Sequence, residues 1–205
     1  MLFRSLDDDD LFYPNHLAVL VEAAEASGHA VVFSDGCQAL YSQRDGRTLV
    51  ERSVVYKGAF ERQDLLVHNQ LPVLCVLHRR SCIDKIGGFD ETFATHEDWD
   101  MWVRLFHQFP YRHVGETTCE YRVQQNGGSL SSTKRADFYR TMKIIHRRYK
   151  QWAVSHAETR RAQKRRRSKH AHELYKLGMP VDPWHKIRHL VKRMLKPAKH
   201  RSRAA

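Results

Sequence analysis

The chain has 205 residues, 41% hydrophobic and 28% charged, enough for one domain with a substantial core. It contains no apolar run near the roughly 20 residues of a membrane-crossing helix, no signal-peptide core at its N-terminus, and four cysteines, Cys37, Cys75, Cys82 and Cys119, at no zinc or disulfide-scaffold spacing, a pattern that predicts a reducing, cytoplasmic compartment. The formal charge of +12 is uneven: residues 136–205 hold 21 Lys and Arg against 4 Asp and Glu, and residues 1–135 hold 14 against 19, so a basic arm is expected on an acidic body.

In chain order, Leu2–Leu6 reads as a strand end running into four carboxylates, Asp7–Asp10. Residues 14–27 read as a helix, with Pro14 at its first position, Leu17, Leu20, Val21 and Ala24 on one face and Gly28 as the stop. Ala30–Phe33 is a short strand. Cys37–Tyr41 and Thr48–Tyr56 flank the turn pair Asp45-Gly46 and suggest a hairpin. Val73–Leu77, after Pro72, reads as a buried strand. Ser81 and Thr95 each suit a helix cap: the first helix ends at Gly87-Gly88, and the second sets Trp99, Trp102, Val103 and Phe106 on one face. Tyr111–Val114 and Thr118–Val123 read as strands, Asn126–Ser132 as a loop, and a helix begins near Ala136. This alternation predicts an α/β fold. Three parts are expected: a body over 1–135, a packing helix over 136–153, and a basic helical tail over 154–205.

Two acidic constellations carry chemistry. Four adjacent carboxylates repel one another, which a divalent cation with a preference for oxygen ligands, Mg²⁺ or Mn²⁺, would offset. They equally suit a solvated loop before the helix that starts at Pro14. In Thr95-His96-Glu97-Asp98-Trp99-Asp100, acids in a first helical turn suit the helix dipole, and Thr95 with Asp98 matches a capping box. Alternatively, one acid faces a cleft as a general base. His78, His96 and the other histidines read as surface or packing residues. Tyr121-Arg122 is a strand pair that could also bring a ring and a cation to a phosphate.

The ordered blocks L-D-D-D-D-L-F-Y-P-N-H-L, N-Q-L-P-V-L-C-V-L-H-R-R-S, G-G-F-D-E, E-D-W-D-M-W-V-R-L and Y-R-V strongly resemble family-2 glycosyltransferases of the GT-A fold, over residues 2–132. The resemblance implies a Rossmann-like GT-A sheet, N-terminally truncated, because the family's nucleotide-holding strands and helices before the acidic strand end have no counterpart here. It implies metal-dependent, inverting transfer of a sugar from a nucleotide-diphosphate donor to a saccharide or lipid-linked acceptor. Asp9 and Asp7 would be metal ligands for Mn²⁺ or Mg²⁺, with Asp7 and Asp8 near the ribose and diphosphate. Asp98 would be the base, with Glu97 beside it. Gly87 and Gly88 would admit the donor sugar, Trp99 would be an acceptor platform, and Arg122 would lie near the phosphates.

The tail holds Lys164-Arg165-Arg166-Arg167 and then an amphipathic stretch, 184–196, with Trp184, Ile187, Leu190, Val191, Met194 and Leu195 on one side. That stretch suits an anionic membrane surface, which would make the protein peripheral at the inner face of the cell membrane. A tail-driven nucleic-acid binder is the alternative, weakened by the acidic body and the lack of a helix-turn-helix, RRM or zinc-finger pattern. A non-catalytic glycosyltransferase remnant is a third class.

Overall fold

The computed structural model describes residues 1–45, 47–125, 133–179 and 181. The protein is a mixed α/β fold with one mixed sheet and, among the described residues, six α-helices. The strands are β1 (Leu2–Phe3), β2 (Leu11–Phe12), β3 (Val31–Arg44), β4 (Arg47–Tyr56), β5 (Val76–Arg79) and β6 (Tyr111–Gln124). They lie in the order β1-β5-β3-β6-β2, with β4 also paired to β3. Among the described residues, only the β3–β6 pair is parallel. The helices are α1 (His16–Ser27), α2 (Arg80–Ile86), α3 (Glu97–Gln108), α4 (Arg135–Arg148), α5 (Lys150–Ala153) and α6 (Ala157–Lys176). None of the described helices is long and apolar enough to cross a membrane.

Two pairs of expected strands are each one continuous strand. Val31–Arg44 pairs first with β5 and then with β4, changing partner through an irregularity at Gly36/Cys37. Glycine is needed there because a Cβ on Gly36 would meet the Cys75 sulfur at 2.8 Å. Likewise Tyr111–Gln124 runs through Gly115 and Glu116 with register shifts opposite Ser34–Gly36. The strand expected over Val73–Leu77 begins as a 3₁₀ turn, Val73–Cys75, because the Cys75 N–H bonds the Pro72 carbonyl, and extends only from Val76. The acidic segment is the connection between β1, on β5, and β2, on β6.

The main core lies between one sheet face and helices α3 and α4. Phe33, Leu74, Val76, Trp99, Trp102, Phe106 and Ile145 are buried there. At α1, Leu20 and Ala24 pack with Val32 and Leu77. Beyond the expected boundary at 153/154, the basic helix packs on the body. Helix α6 buries Ala171 and Leu174. Its Gln163 Nε2 donates to the Leu66 carbonyl at 2.7 Å, and Arg167 Nη1 lies 3.0 Å from His146 Nδ1. It ends in a Schellman arrangement: Gly178 adopts φ 69°, Met179 N–H bonds the Leu174 carbonyl, and Gly178 N–H bonds the Tyr175 carbonyl. The segments 126–132 and 184–196 lie outside the described residues.

Candidate active site

A cleft of about 1070 Å³ is bordered by the β1–β2 connection, the first turn of α3, Tyr121 and Arg122 of β6, and Phe138 of α4. It brings together the two acidic constellations, which the sequence sets almost ninety positions apart. Seven carboxylates line it (Asp7, Asp8, Asp9, Asp10, Glu91, Glu97 and Asp98), and Arg122 is the one Arg or Lys among its described lining residues. Their proximity is felt electrostatically. Asp7 is pushed up by loss of solvation and by Asp9, Glu97 and Asp8.

Asp98 is the most perturbed acid in the cleft. It stands in the first turn of α3, partly buried, and is pushed up to about 7, first by desolvation and then by Glu97 and more weakly Asp7. Two donors work against that shift: Asn69 Nδ2 donates to Oδ2 at 2.7 Å, and the Trp99 N–H donates to Oδ1 at 2.7 Å. Asn69 therefore fixes the carboxylate's orientation. The site thus holds a carboxyl near half-protonation at neutral pH, which suits general-base work. Glu97, next in the chain, is exposed on the same cleft.

Asp10 was not singled out from sequence, yet it is the buried member of the strand-end acids, 7% exposed. The Arg122 backbone N–H donates to its Oδ1 at 2.9 Å, while Oδ2 has no hydrogen-bond partner among the described residues. Desolvation raises it to about 6 despite that N–H, with Asp9 and Asp7 adding to the rise. Tyr56 and Tyr121, stacked edge to face, form the cleft wall and are both pushed up, chiefly by burial, with Asp10 and Asp98 contributing to each. Tyr121, named with Arg122 in the sequence, stands at the wall, whereas nothing local signals Tyr56 or Asn69.

Several expected site residues stand elsewhere. Trp99 is 1% exposed, and its Nε1–H donates to the Leu65 carbonyl, so it is a core residue and not a platform. Phe89, 41% exposed, and Phe138 are the apolar rings that border the cleft near Glu97. Gly87 and Gly88 are not among the described lining residues. Their carbonyls accept from Arg104, and Gly87 ends α2 at φ 80°. Arg122 borders the cleft, but its Nε donates to buried Glu120 at 3.0 Å and its guanidinium lies over the Tyr41 ring. Thr95 does not cap α3. Its Oγ1 bonds Thr141 Oγ1 at 2.8 Å, and His96 takes the cap position in a left-handed conformation at φ 64°. His78 and His146 are buried packing residues, as expected.

Among the described residues, no group of three or more His, Cys, Asp or Glu side chains is arranged to hold a metal ion. The acids still fit one kind of cation. Mg²⁺ is commonly held by one or two carboxylates, completed by water and substrate phosphate oxygens, and Mn²⁺ shares that preference for oxygen. The unpartnered Asp10 oxygen and the mutual repulsion around Asp7 leave negative charge uncompensated. The residues therefore fit a cation that arrives with a phosphate ligand, and not a cage built by protein alone.

In comparisons with known proteins, no family model and no curated protein matches this chain.

Proposed function

We propose that the cleft is the reaction site of an inverting glycosyltransferase of the GT-A type, moving a sugar from a nucleotide-diphosphate donor to an acceptor hydroxyl. The observation that carries this reading is the convergence of the strand-end acids with Asp98, poised at about 7, on one cleft. A sugar hydroxyl is a poor nucleophile until its proton is taken as the new bond forms. Asp98, oriented by Asn69, accepts that proton. The hydroxyl oxygen bonds the anomeric carbon from one face, and the diphosphate leaves from the other. Asp9 and Asp7 would hold Mg²⁺ or Mn²⁺, which when bound supplies Lewis-acid stabilisation to the departing diphosphate. Phe89 and Phe138 offer apolar surface to the acceptor ring.

Calorimetry with Mn²⁺ tests the donor side. Metal alone should bind weakly, because two carboxylates make an incomplete shell. A nucleoside diphosphate should strengthen that binding at least about tenfold, worth 1.4 kcal/mol, and Asp9→Ala should abolish the gain. Equal affinity in wild type and variant removes Asp9 from the site. A screen of nucleotide sugars with Mn²⁺ tests turnover. Diphosphate binding without turnover on any donor favours the second reading, a non-catalytic relative, which the engagement of Arg122 by Glu120 also supports.

A further inference from the structure

Three neighbouring strands bring two arginines onto a single buried carboxylate. Paired positions of adjacent strands project to the same face of a sheet. Ala39 of β3 is paired with Arg52 of β4 on one side and with Arg122 of β6 on the other. Ala39 is fully buried, so only a methyl group stands between the two long side chains. Glu120, two positions before Arg122 and therefore on the same face, is fully buried as well. Arg52 Nε donates to its Oε2 at 2.7 Å, and Arg122 Nε and the Tyr41 hydroxyl donate to its Oε1, each at 3.0 Å. Burial alone would raise this carboxyl, but the bonds from Arg52, Arg122 and Tyr41 hold it below its ordinary value, so it stays ionised.

Glu120 gathers more charge than it cancels. Two guanidiniums meet one carboxylate, and among the described residues neither has a second acidic partner. Each uses its Nε–H on Glu120 and keeps its Nη donors. The Arg52 side chain is 52% exposed and that of Arg122 is 35% exposed, so these donors face solvent. The buried carboxylate thus holds together two like charges whose repulsion would otherwise part them, and the Tyr41 ring beneath Arg122 steadies the second of them. Guanidinium forks fixed in this way match the oxygens of a phosphate. Aliphatic side chains flank the pair on the same face. Val50 and Val54 stand two positions to either side of Arg52, and Leu11 is paired with Glu120 from β2; all three are exposed. Helix α1 covers the adjoining part of this face, where His16 Nδ1 meets Thr118 Oγ1 at 2.7 Å. Free phosphate would need the cations alone, whereas cations ringed by exposed aliphatic groups suit a phosphate that arrives with an apolar body.

We infer that Arg52 and Arg122, braced by Glu120, bind the phosphate of an anionic lipid headgroup, with Leu11, Val50 and Val54 against the apolar part of the same lipid. Occupation of the site brings the β2–β6–β3–β4 face to a membrane surface. The site stands whether or not the cleft transfers sugars.

Nuclear magnetic resonance on the ¹⁵N-labelled full chain tests it, with dihexanoyl phosphatidylglycerol added below its micelle concentration. The Nε–H signals of Arg52 and Arg122 and the amides of Leu11, Val50 and Val54 should shift together and saturate. Arg52→Lys keeps the charge but has no fork, and should weaken binding at least about tenfold. Inorganic phosphate should move the same Nε–H signals with an affinity at least about tenfold lower, since it brings no apolar surface. Equal affinity for the two would overturn the lipid assignment and leave a site for free phosphate. Shifts confined to α6 or to the cleft acids, or an Arg52→Lys protein that binds as tightly as wild type, would overturn the site itself. The wild-type shifts decide its position even if that variant fails to fold.

Discussion

Asp98 combines two properties that pull against each other. Its carboxyl ionises near 3.9 in an unfolded chain but near 7 in the fold. Between those values the folded state holds the extra proton, so this group's contribution to stability falls as pH rises from about 4 to about 7 and is flat above. Asp98→Asn cannot ionise. Its melting temperature relative to wild type should therefore climb between pH 5 and pH 8 in scanning calorimetry, and a gap that stays constant would mean the charge is not held at a cost. In the same variant kcat should fall by about 10²–10⁴, and the acid limb near pH 7 in the wild-type kcat/KM profile should vanish. If kcat stays near normal in a folded variant, Glu97 is the next candidate. The pairing of these acids was legible in the order of the motifs, because each sits at the start or end of an element whose period is plain. Asn69 and Asp10 were not. The bond from Asn69 to Asp98 spans 29 positions and the partner of Asp10 is a strand amide 112 positions away, separations that carry no local pattern.

Helix α3 shows why the family resemblance misled at Trp99 while the spacing of apolar residues did not. The periodicity correctly marks Trp99, Trp102, Val103 and Phe106 as one buried face, and a residue on that face is thereby withdrawn from the cleft. Asp100 lies on the buried side too, fully enclosed, where it joins α3 to the C-terminal end of α4. Its oxygens accept from Arg104 at 3.0 Å, Arg148 at 2.9 Å and Tyr149 at 2.7 Å. Arg148 also donates to Asp90 at 2.8 Å, and Arg104 holds the carbonyls of Ile86, Gly87 and Gly88. The shape of the loop that presents Phe89 and Glu91 to the cleft thus depends on a carboxylate that never touches it. Removing one member of a buried ion pair leaves the others unpaired and costs about 3–5 kcal/mol. Asp100→Ala should show a loss of that size in urea denaturation, whereas Asp84→Ala, in an exposed pair with Arg80, should cost about 1 kcal/mol or less. Similar losses in the two would mean that the Asp100 network is solvated.

At the scale of the whole molecule, the helix expected in the basic tail is present over 157–176, but its composition concealed that it packs on the body. The α6 positions that face the body are Thr159, Gln163, Ala171 and Leu174, polar or small except for the last, so no apolar stripe advertises them. Leu174→Ala should destabilise the protein by about 2–5 kcal/mol, the range for truncating an enclosed leucine, and a loss below about 1 kcal/mol by chemical denaturation would return α6 to the status of an appended arm. Strand β3 lies at the heart of the sheet and has a consequence for how the chain reaches its fold. Its turn with β4 closes between Arg44 and Arg47, while its parallel partnership with β6 joins Val31 to Tyr111. A nearby closure costs little chain entropy and a distant one costs more, and folding slows as the average separation of partners grows. The β3–β4 hairpin is therefore an early event and the docking of β6 a late one. Because Tyr121 and the amide that anchors Asp10 both travel on β6, the cleft is completed only in the last stage of folding, after most of the sheet already exists.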